Sequence, residues 1–118
     1  EKSLNYAIEK IYAQVNEFHV APQVNPKSGL PFHEWLIEFE KKPESLSDFQ
    51  DFIDTSLQKQ NSYYKDLISG NMLRPLKITI IKKGGFRNYM RSIGKLGGQN
   101  KVPRLANDRK IATQLIKF

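Results

Sequence analysis

The chain has no cysteine among its 118 residues. This absence excludes disulfides, thiolate metal sites and cysteine nucleophiles. No apolar run approaches the roughly 18 residues that a membrane-spanning helix needs, and the opening Glu-Lys-Ser-Leu has none of the character of a signal peptide. We therefore expect a cytoplasmic protein that does not enter a membrane.

Complete motifs for nucleotides and metals are lacking as well. There is no Gly-x-x-x-x-Gly-Lys-Ser/Thr phosphate loop, and no Gly-x-Gly-x-x-Gly follows a strand. His19 and His33 lie in strand patterns without a third ligand nearby, so we interpret both as structural and predict no metal site. Glu34, Glu38 and Glu40 alternate along one strand, which is more typical of a solvated face than of an acid/base pair.

The charge is strongly uneven. The net charge is +7, yet residues 1–60 hold six Lys/Arg against ten Asp/Glu, whereas residues 61–118 hold thirteen against two. A basic half attracts phosphates, although it could also be a solvated face without a specific partner. With 39% hydrophobic and 26% charged residues, we predict one globular domain over residues 1–118. The chain lacks an initiator methionine and opens inside a helical pattern, so we expect it to be part of a larger protein.

Hydrophobic periodicity predicts alternating helices and strands. The predicted elements are a helix from Leu4 to Val15, strands over 16–24 and 32–40, a helix capped by Ser45 with Phe49, Phe52, Ile53 and Leu57 as its buried stripe, a further helix over 61–69, a strand over 76–82, a short helix after Gly85, and a last helix capped by Asn107. This order indicates an α+β domain with a small three- to four-stranded, mostly antiparallel sheet flanked by helices.

Between the last two predicted helices lies a segment that core packing does not explain, and we call residues 94–109 the connector. Its sequence, Gly-Lys-Leu-Gly-Gly-Gln-Asn-Lys-Val-Pro-Arg-Leu-Ala-Asn-Asp-Arg, holds three glycines, one proline and four cations. The candidate functional residues are Lys95, Gln99, Lys101, Arg104 and Arg109. A loop of this kind can place a cation against charge developing on a phosphoryl or carboxyl oxygen. The alternative is an exposed connector with incidental charge.

The connector, together with Arg74-Pro-Leu-Lys-Ile and Gly84-Gly-Phe before it, resembles the C-terminal end of the acyl acid-amido synthetases. This family, also called the auxin-responsive promoter family, belongs to the adenylate-forming superfamily. The Phe32-His-Glu-Trp-Leu-Ile-Glu-Phe strand resembles an earlier element of the same domain. The Gly-Gly-Gln-x-Lys-Val-Pro-Arg run is similar to bacterial members, because plant members tend to carry Lys-Thr-Pro-Arg-Cys.

The resemblance implies a two-step ligase. A carboxylic acid reacts with ATP and Mg²⁺ to give an acyl-adenylate and pyrophosphate, and an amine, usually of an amino acid, then forms the amide. A large N-terminal domain holds the acid and the nucleotide, and a small C-terminal domain swings over that site. This chain matches the small domain. Its partners are thus the N-terminal adenylation domain, a carboxylic acid and an amine, with no nucleic acid and no membrane.

By its place in the Lys-x-Pro-Arg motif, Lys101 is the residue that the resemblance implies to be catalytic, with Arg104 and Gln99 as nucleotide contacts. Val102 and Leu105 depart from the plant pattern, so plant hormone substrates cannot be transferred to this chain. The resemblance also places the hinge before Glu1. We therefore expect the isolated chain to be inactive and to bind no cofactor by itself.

Two alternatives stay open on the sequence. A small basic RNA-binding α+β module could use a sheet face with Tyr63, Tyr64 and Phe86, although the aromatic signature of the commonest sheet-type RNA binder is lacking. A pure interaction domain without a catalytic lysine is the other.

Overall fold

The computed structural model describes residues 13–24, 29–94 and 102–118. The described elements are, in order, β1 (Gln14–Gln23), β2 (Phe32–Lys41), α1 (Leu46–Gln60), α2 (Ser62–Ser69), β3 (Lys77–Ile81), α3 (Gly85–Ser92) and α4 (Lys110–Leu115). The predicted α+β class is confirmed. Up to residue 12, the predicted first helix lies in the part of the chain that the structure does not describe. Its assigned end is wrong, because Val15 belongs to β1 and pairs with Phe39.

The three strands form one mixed sheet in the order β1-β2-β3. β1 and β2 are antiparallel, and the pairing runs from Gln14 opposite Lys41 to Gln23 opposite Phe32. β3 is parallel to β2, with Glu34 opposite Lys77 and Glu38 opposite Ile81. A parallel neighbour requires a long crossover, which α1 and α2 provide here. The longer ladder is the antiparallel one, as the sequence predicted.

One face of the sheet packs on α1. This hydrophobic core contains Ala13, Phe18, Val20, Trp35, Ile37, Phe39, Phe49, Ile53 and Leu76. The predicted cap is confirmed, since Ser45 Oγ accepts a hydrogen bond from Asp48 N at 3.1 Å. Phe52 was predicted to be buried and is 37% exposed. The prediction was wrong because Phe49 and Ile53, four residues apart, define the face of α1 that meets the sheet.

The opposite face packs on α3 and α4. Its core contains Ala21, Leu36, Ile81, Phe86, Tyr89, Met90, Val102, Ala112 and Leu115. Helices therefore cover β2 on both sides, and Glu34 and Glu38 are 9% and 7% exposed. Their interpretation as a solvated face is wrong. Glu38 Oε1 instead accepts a hydrogen bond from Phe86 N at 3.2 Å, in the first turn of α3, where a carboxylate complements the helix dipole.

The start of α4 differs from the sequence prediction. Its N-cap is Arg109 rather than Asn107. The carboxylate of Asp108, rather than the side chain of Asn107, accepts a hydrogen bond from the first-turn amide of Lys110, at 3.0 Å. No helix in the three described ranges is both long and apolar enough to cross a membrane.

Candidate functional site on the connector

The described part of the connector lies along the free edge of β1. Leu105 makes an isolated parallel bridge to Val20. Val20 N donates to Arg104 O at 2.9 Å, and Ala106 N donates to Val20 O at 3.0 Å. The connector thus extends the sheet by one short bridge at the β1 edge, on the side away from β3. Backbone groups, whose geometry does not depend on side-chain rotamers, hold this segment in place.

His19 adds a third bond to the same segment. Its side chain is fully buried, and its Nδ1 lies 2.5 Å from the carbonyl oxygen of Pro103. A carbonyl only accepts hydrogen bonds, so His19 carries a proton on Nδ1 and donates it to Pro103. The sequence predicts a structural role for His19. In the fold, the hydrogen bond from His19 to Pro103 fixes the connector.

The Arg104 side chain lies against the middle of β1. Its guanidinium carbon is 5.0 Å from the centre of the Phe18 ring, and its Nε is 3.6 Å from Glu17 Oε1. Half of the Arg104 side chain is exposed, so an anion can approach it from solvent.

Arg109 points inwards, unlike the cation that the sequence suggested. Its Nη2 is 2.7 Å from Glu34 Oε1, and its Nη1 donates to Pro22 O at 3.2 Å. Glu34 Oε1 has no partner with hydrogen-bond geometry. The positive charge of the nearby Arg109 guanidinium nevertheless balances the negative charge of this carboxylate. Thr79 Oγ1 donates to the other oxygen of Glu34 at 2.5 Å. Arg109 thus anchors the end of the connector to β1 and β2, with its guanidinium engaged by Glu34 and Pro22.

The remaining sequence candidates, Lys95, Gln99 and Lys101, lie outside the described residues. Lys101 is bonded to Val102, which is 5% exposed and belongs to the core under α3 and α4. The described structure therefore brings together Arg104, His19 and the backbone of the connector. Local sequence patterns did not predict that Val20 and His19 bind the connector, because their partners lie more than eighty residues away in the chain.

The described residues offer no cluster of metal ligands. Among residues 13–24, 29–94 and 102–118, no group of three or more His, Asp or Glu side chains could hold a metal ion. One groove lies on α1 beside Asp48, Phe52 and Lys59, and another lies between the ends of β2 and β3. Neither groove includes a connector residue. The described part of the site, residues 102–109, lies along the edge of β1.

Comparisons with known proteins agree with this geometry. Residues 1–110 match the model of the GH3 family C-terminal domain. Two solved structures similar to the chain are a GH3.15 acyl acid amido synthetase, with a TM-score of 0.75 at 17% identity, and an AtGH3.15 acyl acid amido synthetase in complex with 2,4-DB, with a TM-score of 0.72 at 18% identity. Each match covers 97% of this chain and 22% of the other. No curated protein sequence matches significantly.

The chain thus spans about a fifth of the length of these synthetases. At these identities the structural similarity shows the fold alone, whereas the match to the family model shows family membership. Both agree with the resemblance found in the connector and in the β2 sequence. The chain belongs to the GH3 family, and it corresponds to the C-terminal domain of that family.

Proposed function

We propose that the chain is the mobile C-terminal domain of an ATP-dependent acyl acid-amido synthetase. It closes over the active site of an N-terminal adenylation domain and supplies Lys101 to the phosphates, with Arg104 and Gln99 as further nucleotide contacts. The observation that carries the proposal is the family match over residues 1–110, which includes the whole connector. The exposed, backbone-anchored position of residues 103–106 supports it, because closure needs a fixed base on an accessible surface.

In this proposal ATP supplies the adenylyl group and the pyrophosphate leaving group. The ammonium of Lys101 stabilises negative charge that develops on the phosphate oxygens during acyl-adenylate formation. Lysine suits this role because it is a compact charge on a long, flexible stem that domain closure can deliver. The Arg104 guanidinium stands two residues beyond Val102, on the anchored part of the connector, and adds a second cation. The acid pocket, the adenine site and Mg²⁺ belong to the N-terminal domain.

The test is a comparison of Lys101→Ala with Lys117→Ala in the full-length enzyme. Lys117 has the same charge and is exposed beyond α4, so its removal controls for a general loss of positive charge. Pyrophosphate release is measured over a panel of carboxylic acids, and amine-dependent amide formation is measured afterwards. We expect Lys101→Ala to lower the rate of pyrophosphate release by about 100-fold or more and Lys117→Ala to leave it unchanged.

Equal activity of Lys101→Ala and wild type in both steps would refute the catalytic role and favour a pure interaction domain. The isolated chain should release no pyrophosphate with any acid of the panel, because it lacks the proposed acid and adenine sites. Turnover by the isolated chain would contradict the assignment to a lid domain.

The structure does not favour the RNA-binding alternative. Tyr64 and Phe86 are 5% and 4% exposed, and helices cover both faces of the sheet where an RNA base would stack. Only Tyr63, at 72% exposure, is accessible among the three aromatic residues that this alternative used. A stacking platform for RNA needs exposed aromatic rings on a sheet face.

A further inference from the structure

One buried side chain, His19, bonds to the backbone of the connector at Pro103. In the same segment Leu105 is 72% exposed, and half of the Arg104 side chain is exposed. The Arg104 side chain contacts Phe18 and Glu17, whereas the backbone of the segment is hydrogen-bonded to β1. The position of this backbone therefore depends on hydrogen bonds to β1.

Those hydrogen bonds come from two adjacent residues of β1. His19 Nδ1 donates to Pro103 O, and Val20 N donates to Arg104 O while Val20 O accepts from Ala106 N. Two connector carbonyls, of Pro103 and Arg104, and the amide N–H of Ala106 are thereby bonded to the edge of one strand. We call these three bonds the β1 clasp. The clasp limits both the displacement and the rotation of the Arg104 backbone.

We propose that His19 is a positioning residue for the ligase reaction, which acts by fixing the connector backbone at Pro103 and Arg104. This inference rests on the proposed function, and it assigns a role to a residue that touches neither substrate nor nucleotide. A cation that stabilises a transition state must be placed within a fraction of an ångström, because reorganisation during the reaction weakens its effect. The clasp provides this placement at the base of the segment that carries Arg104.

The chemistry of the donor explains why histidine is suited to this position. The pairing partner of His19 in β2 is Leu36, which is fully buried, so the side chain must fill apolar space and still present one N–H to a carbonyl. Imidazole does both. Leucine fills a similar volume without a donor, whereas asparagine carries an N–H₂ group near the position of Nδ1. These two substitutions therefore separate packing from hydrogen bonding.

The first experiment measures the clasp without reference to catalysis. Amide hydrogen exchange is followed in residues 102–108 of the full-length wild type and of the variants His19→Leu and His19→Asn. We expect exchange in this segment to become roughly 10-fold faster in His19→Leu, because the clasp opens more often. His19→Asn should stay close to wild type. Equal exchange in wild type and His19→Leu would overturn the proposal at this step.

The second experiment measures adenylation by the same proteins. His19→Leu should lower kcat for pyrophosphate release by about 10-fold, while the KM for ATP and for the acid stays within about twofold, because both substrates bind to the other domain. His19→Asn should recover most of kcat. Tyr64→Phe serves as the matched control, because it removes a different buried hydrogen bond, from Tyr64 in α2 to Asp54 in α1. It should lower the melting temperature and leave kcat unchanged.

A purely structural role for His19 would give a different pattern. His19→Leu and His19→Asn would then lose activity only in proportion to the fraction that unfolds, with kcat per folded molecule unchanged as expected for Tyr64→Phe, and this result would overturn the inference. If His19→Leu does not fold, Ala106→Pro tests the same clasp from the connector side, since proline cannot donate the bond to Val20 O. It should lower kcat in the same way, and an unchanged kcat would overturn the inference.

The two proposals can fail separately. If Lys101→Ala abolishes adenylation but His19→Leu keeps full kcat, the proposed function stands and the positioning role falls. If Lys101→Ala is fully active, the proposed function falls and the positioning role falls with it, whatever hydrogen exchange reports about the clasp.

Discussion

His33 and Tyr64 form a stacked pair of rings between the start of β2 and α2, with ring centres 5.8 Å apart. The Tyr64 hydroxyl donates to the buried carboxylate of Asp54, which also accepts from Leu76 N at 3.2 Å and from Gln58 Nε2 at 2.7 Å. Burial raises the pKa of Tyr64 well above its ordinary value, so the hydroxyl stays a donor at every physiological pH. A few polar atoms thus connect α1, α2 and the segment that enters β3.

His33 makes the stability of the domain depend on pH. Burial lowers the pKa of His33 below its ordinary value of 6.5, so the unfolded chain binds a proton more readily than the folded chain does. The contribution of His33 to stability is therefore complete above pH 6.5 and is lost as the pH falls from 6.5 through the folded-state pKa. We expect the free energy of unfolding, measured with urea, to decrease over this range in wild type.

The variant His33→Phe should remove this part of the pH dependence, because phenylalanine keeps the stacking on Tyr64 and cannot titrate. His19 remains in both proteins, so it cancels in the comparison. Identical slopes of unfolding free energy against pH in the two proteins would contradict the prediction.

Among the elements, α3 is the one most tightly constrained at its start. Gly84 has a φ of +84°, which turns the chain from β3 into the helix and favours glycine. At Gly85 an added Cβ would lie 2.4 Å from Ile81 Cγ2, so the first turn of α3 is in direct contact with the end of β3. Because Ile81 is β-branched and 3% exposed, it cannot easily move aside.

We expect Gly85→Ala to destabilise the domain by up to about 2 kcal/mol. The gain in helix propensity is about 1 kcal/mol, whereas overpacking of a buried contact costs about 1–3 kcal/mol. Denaturant unfolding measures the difference. Asn88→Ala, on the exposed side of the same helix, is the control and should be neutral or stabilising by less than about 0.7 kcal/mol.

A double-mutant cycle identifies the cause. In an Ile81→Ala background the clashing methyl group is gone, so Gly85→Ala should no longer destabilise. If Gly85→Ala costs the same in both backgrounds, the contact with Ile81 is not the reason for the loss.

At the scale of the whole molecule, the sheet is enclosed and the charge is segregated. Residues 61–118 carry thirteen Lys/Arg against two Asp/Glu, yet the basic half offers no open sheet face for RNA bases among the described residues. Positive charge without a stacking surface gives weak, salt-sensitive attraction to phosphates rather than specific binding.

We therefore expect no submicromolar binding of this chain to labelled single-stranded RNA at about 150 mM salt, where the Debye length is about 8 Å. Fluorescence anisotropy over a series of salt concentrations measures it. Weak binding at low salt that disappears at about 150 mM is the expected result. Submicromolar affinity with a steep salt slope would instead support the RNA-binding alternative.

The sequence by itself determined the features that depend on neighbouring residues. Alternating side chains specified β2, the three-residue spacing of Ser45 and Asp48 specified the start of α1, and the connector motif indicated the family that the comparisons show. These signals are local, because periodicity and capping follow from backbone geometry within a few residues.

Only the tertiary structure decided how distant segments meet. Glu34 and Glu38 have the alternation of a solvated face, and they are buried because α3 and α4, encoded some fifty to seventy residues later, cover them. Arg109 looks like an available cation in the sequence and pairs with Glu34 in the fold. His19 reaches Pro103 across 84 residues. Hydrogen bonds and burial between such segments depend on the path of the whole chain, which no local pattern records.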